Sequence, residues 1–248
     1  MSNLANFPRP VPTFEALRTA HQPVFPTSAT KRLYWTLQGP ISTEIFVMDE
    51  EQNPDSPRKA YFRQTFAGTS WHPISQEALT EPKLSSITVS VDELRDWEND
   101  WLEYHRHAEP GIEGCMFEET EAEEETEADE EPELLMCCGE VRPKEHIPLV
   151  IKASEQPYLT VHDYVTALHP WLMGLRNDIL QVKNMWDNNP LPPETKLAVN
   201  YRALAYLQIE EEEIRIVSMR EFHQIPPFIP VPPLHLLPNP PLFNPNPI

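Results

Sequence analysis

Glycine is scarce in this chain, six residues of 248. That argues against loops that cradle phosphate through closely approaching backbone amides. Cysteine is almost as rare. Cys115, Cys137 and Cys138 are an odd count with an adjacent pair, which is no disulfide framework, so a reduced, intracellular setting is expected. Without a CxxC pair there is no zinc ribbon. No run of about 18 apolar residues occurs, so no membrane span is expected. The opening stretch MSNLANFPRPVPTF lacks a basic and an apolar region of the secretory type, which points to a cytoplasmic or nuclear protein. The patterns GxSxG, HExxH, GxxxxGKS/T and GxGxxG are missing, as are kinase-type sets, and with them go the well-marked enzyme classes.

Basic residues are also few, 19 against 39 acids, for a net charge of −20. That balance repels phosphate backbones and anionic membranes, so neither nucleic acid nor a lipid surface is the expected partner. The charge is uneven. Residues 118–133, EETEAEEETEADEEPE, hold eleven acids and no base, and without them the chain has 28 acids against 19 bases. The acidity belongs to a segment, which reads as a solvated spacer or a docking site for a basic partner.

Proline is plentiful instead, 29 residues, with five in 1–26 and ten in 225–248. Residues 1–26 read as an extended lead-in. The arm from 223 to 248 favours polyproline II and offers P-x-x-P spacings at Pro227/Pro230, Pro230/Pro233 and Pro238/Pro241. No flanking Arg or Lys supports an SH3 ligand, and no PPxY is present. Phe228, Ile229, Val231, Leu234, Leu236, Leu237, Leu242 and Phe243 make the arm too apolar for a polar linker. It packs along its own domain, binds a partner groove or a neighbouring copy, or is disordered.

Between these ends, KRLYWTL (31–37), STEIFVMD (42–49), KAYFRQTF (59–66) and KLSSITVSV (83–91) read as strands. Ser90 and Glu93 have capping-box spacing before VDELRDWENDWLEYHRHA, whose Leu94, Trp97, Trp101 and Tyr104 form a helical stripe ended by Pro110 and Gly111. Residues 109–140 read as a disordered acidic loop, because they cannot bury enough apolar surface to offset their ordering entropy. HIPLVIKA (146–153) reads as a short buried strand. Thr160 then caps a helix with Asp163 at its third position, and Leu159 and Tyr164 suit a hydrophobic staple. Val161, Tyr164, Val165, Leu168, Trp171, Leu172 and Leu175 form its stripe. Pro170 should kink or divide it before its end near Val182. Pro193 opens a third predicted helix, ETKLAVNYRALAYLQ, burying Leu197, Tyr201, Leu204 and Leu207. EEEIRIVSM (211–219) is the expected closing strand.

The candidate chemical residues have plain readings. His162 and His169, seven apart, lie near one helix face but roughly 10.5 Å apart along the axis. That is too far for one metal ion, so each reads as a surface or half-buried histidine. Asp163 is explained by the helix start. His105 and His107 point apart if helical, at a solvated helix end, with at most an adventitious metal site. Cys137 and Cys138 follow an apolar LLM. A reactive thiol needs a partner that lowers its pKa, and the acids around Lys144 and His146 act the other way. The pair reads as small and buried or half-buried. No catalytic residue, metal ligand or cofactor is assigned.

Several stretches carry a resemblance: Trp35 and Leu37 around Thr36; Pro148, Val150 and Ile151; Leu159, Thr160, Val161, Asp163, Tyr164 and Val165; and Arg202 with Leu204. Taken in order over residues 30–108 and 140–220, they resemble a fungal domain family of unknown function. The chain has Thr36 where that family usually has aspartate, and lacks the tryptophan of its second element. The resemblance implies one intracellular α+β domain and carries over no activity, cofactor or catalytic residue.

The expectation is a single α+β domain over 27–222, a small and mostly antiparallel sheet packed by two or three helices. It bears the acidic loop and the proline-rich arm. The leading reading is a non-enzymatic interaction or scaffold domain with unidentified protein partners. Its contact residues are Phe228, Ile229, Val231, Leu234, Leu237, Leu242 and Phe243, together with the acidic loop. An enzyme or small-ligand binder with a pocket between the Trp-rich helix and the sheet is the alternative, and structural self-association is the third. If the acidic loop carries binding, deleting 118–133 abolishes a salt-sensitive interaction in a pull-down. If the arm carries it, Phe228→Ala with Leu237→Ala abolishes a salt-insensitive one.

Overall fold

The computed structural model describes residues 10–66, 68–118, 132–186 and 191–224. Its axis is the strand Ser86–Val91, where Ile87, Val89 and Val91 are buried and the residues between them are half-buried. This strand pairs antiparallel with Leu149–Lys152 and parallel with Tyr206–Glu211, which pairs antiparallel with Leu197–Asn200. The parallel step needs a long crossover, and the chain between Val91 and Tyr206 supplies it. All four residues of Leu197–Asn200 are buried, because a second sheet continues beyond them. A bridge between Thr36 and Ala198 and the Leu37 N–H on the Leu197 carbonyl at 3.0 Å lead to Leu33–Trp35, Ile45–Met48 and Arg58–Ala60. The expected α+β class with mostly antiparallel pairing is what the structure has.

The helix Val161–Val182 packs on this sheet. Its start is a capping box. The Asp163 amide donates to Thr160 Oγ1 at 3.1 Å, and the Thr160 amide donates to Asp163 Oδ2 at 2.9 Å. Burial pushes the Asp163 carboxyl upward, but hydrogen bonds from Ser154 and Thr160 outweigh it and hold the group below the usual carboxylate range. Val161, Tyr164, Val165, Leu168 and Leu172 are fully buried, and Trp171 and Leu175 are half-buried. Three polar tethers run from the helix to other elements. Tyr164 Oη donates to the Leu204 carbonyl at 2.8 Å, Arg176 Nε to the Leu37 carbonyl at 2.9 Å, and Lys183 Nζ to the Ile209 carbonyl. The expected division at Pro170 does not occur. Pro170 lies on the exposed side, inside one continuous helix.

Two elements are exchanged relative to the sequence reading. Residues 193–207 form no helix: Leu197–Asn200 and Tyr206–Glu211 are a hairpin, closed where Asn200 Oδ1 accepts from the Arg202 amide. Residues 212–224 form the helix, with Glu212 and Glu213 in its first turn, where acids complement the dipole. Tyr34 Oη donates to Glu212 at 2.5 Å, and Met219 packs with Tyr34 and Met48.

Other boundaries also move. The lead-in is not extended throughout: Thr13 caps the helix Phe14–Thr19, Leu17 is buried, and Phe25–Pro26 pairs with Thr80–Glu81. Ser90 caps nothing, since it lies in a strand opposite Tyr206. Glu93 accepts from the Ile209 amide at 2.9 Å. The Trp-rich helix is split at Asp96 into Asp92–Arg95 and Trp97–Tyr104, short of Pro110. KAYFRQTF divides between the sheet and a separate hairpin, Phe62–Thr65 with Gly68–Trp71. Leu149–Lys152 is an edge strand with only Ile151 buried.

The stretch 109–140 is not one disordered loop. Met116–Phe117, Leu134–Cys137 and Glu140–Val141 form a three-stranded sheet that flanks the acidic run, itself largely outside the described residues. The proline-rich arm from 225 also lies outside them. Among the described residues, no helix is long and apolar enough to cross a membrane.

Leu168 has no exposed surface, so Leu168→Ala should destabilise the fold by about 2–5 kcal/mol in urea unfolding.

Candidate functional site

Beside the long helix runs an apolar groove of about 710 Å³. The helix contributes His169, Pro170 and Met173. The turn Gly39–Ser42 forms one wall, and the hairpin supplies Phe62 and Trp71. The sequence alternative placed a pocket between the Trp-rich helix and the sheet; this groove lies elsewhere. The Trp71 ring stands 4.5 Å from Phe62, 4.6 Å from His162 and 5.6 Å from Tyr61, centroid to centroid. None of the described residues accepts a hydrogen bond from the Trp71 indole N–H.

His169 holds this groove in shape. It is 3% exposed, not the surface or half-buried histidine expected from the sequence. The helix phase is as expected, but the turn 39–42 covers that flank, a contact no local pattern carries. Trp35 Nε1–H donates to His169 Nδ1 at 2.9 Å, and His169 Nε2 meets the Gly39 carbonyl at 2.8 Å. An indole only donates, so Nδ1 bears the lone pair and Nε2–H donates to Gly39. Burial holds the His169 pKa below the usual histidine value, although the Gly39 carbonyl and Glu44 pull the other way. With both nitrogens engaged, His169 is a structural bridge with neither nitrogen free to move a proton. His162 and His169 are not brought together, as expected: one packs on Trp71, the other on Trp35.

A second cluster was missed from sequence. The helix ends at Tyr104, so the chain turns after it and brings the His105 and His107 rings to 5.9 Å between centroids. His105 is no solvated helix end; it is 1% exposed, with Nδ1 at 2.9 Å from the Trp101 carbonyl and Nε2 unpartnered. His107 Nε2 lies 3.3 Å from Cys138 Sγ and 3.5 Å from Cys137 Sγ. The two sulfurs are 3.7 Å apart, and Cys115 Sγ is 3.3 Å from Cys137 Sγ. Cys137 is buried, Cys115 half-buried and Cys138 exposed. Burial, then the neighbouring thiols, pushes the Cys137 thiol up to about 12, the opposite of an activated nucleophile. His146 turns away from the cysteines to Asp178 at 3.0 Å. The signal for this cluster was five donor residues bracketing one acidic run; its separation into distant fragments hid the convergence.

Comparison with protein-family models, with curated proteins and with solved structures gives no match. The resemblance to a fungal family therefore stands on the sequence alone.

His169→Ala removes two bonds and leaves the buried Trp35 donor and the half-buried Gly39 carbonyl without their partner. The expected cost is about 2–4 kcal/mol near neutral pH, not the small effect of a surface histidine. The His169 pKa is lowered in the folded chain, so unfolding takes up a proton below the ordinary histidine value of about 6.5. That part of the stability is lost as pH falls, so the gap between wild type and His169→Ala should narrow below about pH 6.5. Thermal unfolding at pH 5 and pH 7.5 checks both.

Proposed function

We propose that this chain is a non-enzymatic interaction domain whose groove takes an extended proline-rich segment, and that its own residues 225–248 are the occupant. The observation that carries this reading is the groove's lining. Pro40, Phe62, Trp71 and Pro170 make an apolar, partly aromatic trough, and no described residue accepts from the Trp71 indole N–H. Polyproline II segments bind such surfaces because their backbone is already extended and its carbonyls are unpaired. The arm supplies ten prolines among apolar residues. It follows the helix ending at Gln224, and a polyproline II segment of that length would span roughly 70 Å at 3.1 Å per residue, ample reach across one domain or onto a second copy. The named arm residues Phe228, Ile229, Val231, Leu234, Leu237, Leu242 and Phe243 are the proposed contacts. Docking of a basic protein on the acidic run, and a cytoplasmic or nuclear setting, belong to the same reading.

A second reading, capture of a small apolar ligand, is favoured by the groove's volume, which lies within the range of roughly 300–1,000 Å³ for small-molecule sites.

The test is calorimetric titration of a synthetic 225–248 peptide into a chain ending at Gln224 and into the full chain. Saturable binding to the shorter chain is expected, weaker in the full chain because its own arm competes. Trp71→Ala with Phe62→Ala should weaken it by at least about tenfold. No binding, or binding indifferent to those substitutions, refutes the peptide reading and turns attention to small apolar ligands.

A further inference from the structure

His107 Nε2, Cys137 Sγ and Cys138 Sγ form a triangle with edges of 3.3, 3.5 and 3.7 Å. A tetrahedral zinc ion with bonds of about 2.3 Å to sulfur and about 2.0–2.1 Å to nitrogen has ligand–ligand edges near 3.8 Å for two sulfurs and near 3.6 Å for sulfur and nitrogen. The triangle thus has the size of one face of such a site. Two donors compete for the fourth corner. Cys115 Sγ is 3.3 Å from Cys137 Sγ. His105 has a ligand nitrogen within 4.8 Å of both Cys137 and Cys138 sulfurs.

His105 is an independent sign of a ligand. Its Nδ1 faces the Trp101 carbonyl, the bond that usually orients a metal-binding imidazole, and leaves the lone pair on Nε2. That Nε2 is buried without a hydrogen-bond partner; Glu140 Oε2 stands 3.8 Å away, within ion-pair range if the ring is protonated. The backbone at Cys138 is a second sign. Neighbouring side chains of a strand point to opposite faces, yet Cys138 adopts φ 54°, left-handed for a non-glycine residue, with Gly139 following at φ 83°. That turn returns the Cys138 sulfur to the side of Cys137.

We infer that Cys137, Cys138 and His107, with a fourth donor from Cys115 or His105, bind one zinc ion that clamps both ends of the acidic run to the end of the Trp-rich helix. Thiolate and imidazole donors select zinc over magnesium and calcium, which prefer oxygen. Four protein ligands make the site structural and leave no position open for a catalytic water. Each bound cysteine gives up its thiol proton to solvent as the metal enters. The ion joins Cys115, ahead of the acidic run, to Cys137 and Cys138 behind it, and fixes both to the helix end through His107. It holds the described flanks of the run together, and it does not depend on what occupies the groove.

The test uses the full chain, purified with reductant. Zinc content by mass spectrometry should reach about one ion per chain, and cobalt should give tetrahedral ligand-field bands with a thiolate charge-transfer band that zinc displaces. Cys137→Ser, Cys138→Ser and His107→Ala should each weaken zinc binding by about tenfold or more, and so should one of Cys115→Ser and His105→Ala but not both. A wild-type measurement guards against variants that fail to fold. Exposed Cys138 should be alkylated quickly with chelator and slowly with zinc. No stoichiometric zinc with no charge-transfer band, variants that bind as wild type, or equal alkylation rates would each overturn the inference.

Discussion

The bridge from the Trp35 indole through His169 to the Gly39 carbonyl is the interaction on which the rest of the arrangement depends. It ties the long helix to the strand Leu33–Trp35 and to the turn after it, the three parts that must stay in register for the two sheets to meet at Thr36 and Ala198. Each bond is worth little on balance, but leaving the buried Trp35 or His169 nitrogens without a partner costs about 1–3 kcal/mol. The bridge therefore specifies a geometry more than it adds stability. Arg176 repeats the tether two turns later, on the Leu37 and Thr195 carbonyls. The turn 39–42 is pinned in this way and becomes a groove wall.

Local chemistry was legible in the sequence where it is local in the structure. The Thr160–Asp163 box joins residues three apart, and the alternation of Ser86–Val91 is read from one strand, so both were found. Residues 193–224 were inverted because the spacing of Leu197, Tyr201, Leu204 and Leu207 suits a helix and equally suits strand, turn and strand. The choice is made by the sheet, which offers Leu197–Asn200 neighbours on both edges. Ile214 and Ile216 alternate as in a strand, yet Met219 and the buried Arg215 fit a helix. The hairpin takes the place beside Ser86–Val91, and that place is then closed to them.

The groove and the cysteine–histidine cluster were illegible for a related reason. Phe62 and Trp71 line one groove with His169 only because a hairpin lies beside the helix; Gly68, with φ 123°, makes its turn. The metal-ligand residues lie on either side of a run whose composition promises no order. Composition judged 109–140 as one piece, whereas its flanks carry Met116, Phe117, Leu134 and Met136, enough apolar and backbone pairing for a small sheet. A zinc ion at the root of that sheet would supply what so small a core cannot.

The account turns on His169 being a buried, neutral strut and not a titrating surface group. Long-range nitrogen–proton NMR on the full chain measures this directly. The prediction is one tautomer, protonated at Nε2, with ring nitrogen shifts that stay constant from pH 8 down through the ordinary histidine value of about 6.5. A His169 that titrates near that value, or exchanges between tautomers, would mean that Trp35 and Gly39 do not hold it, and the groove would lose the wall on which its function rests.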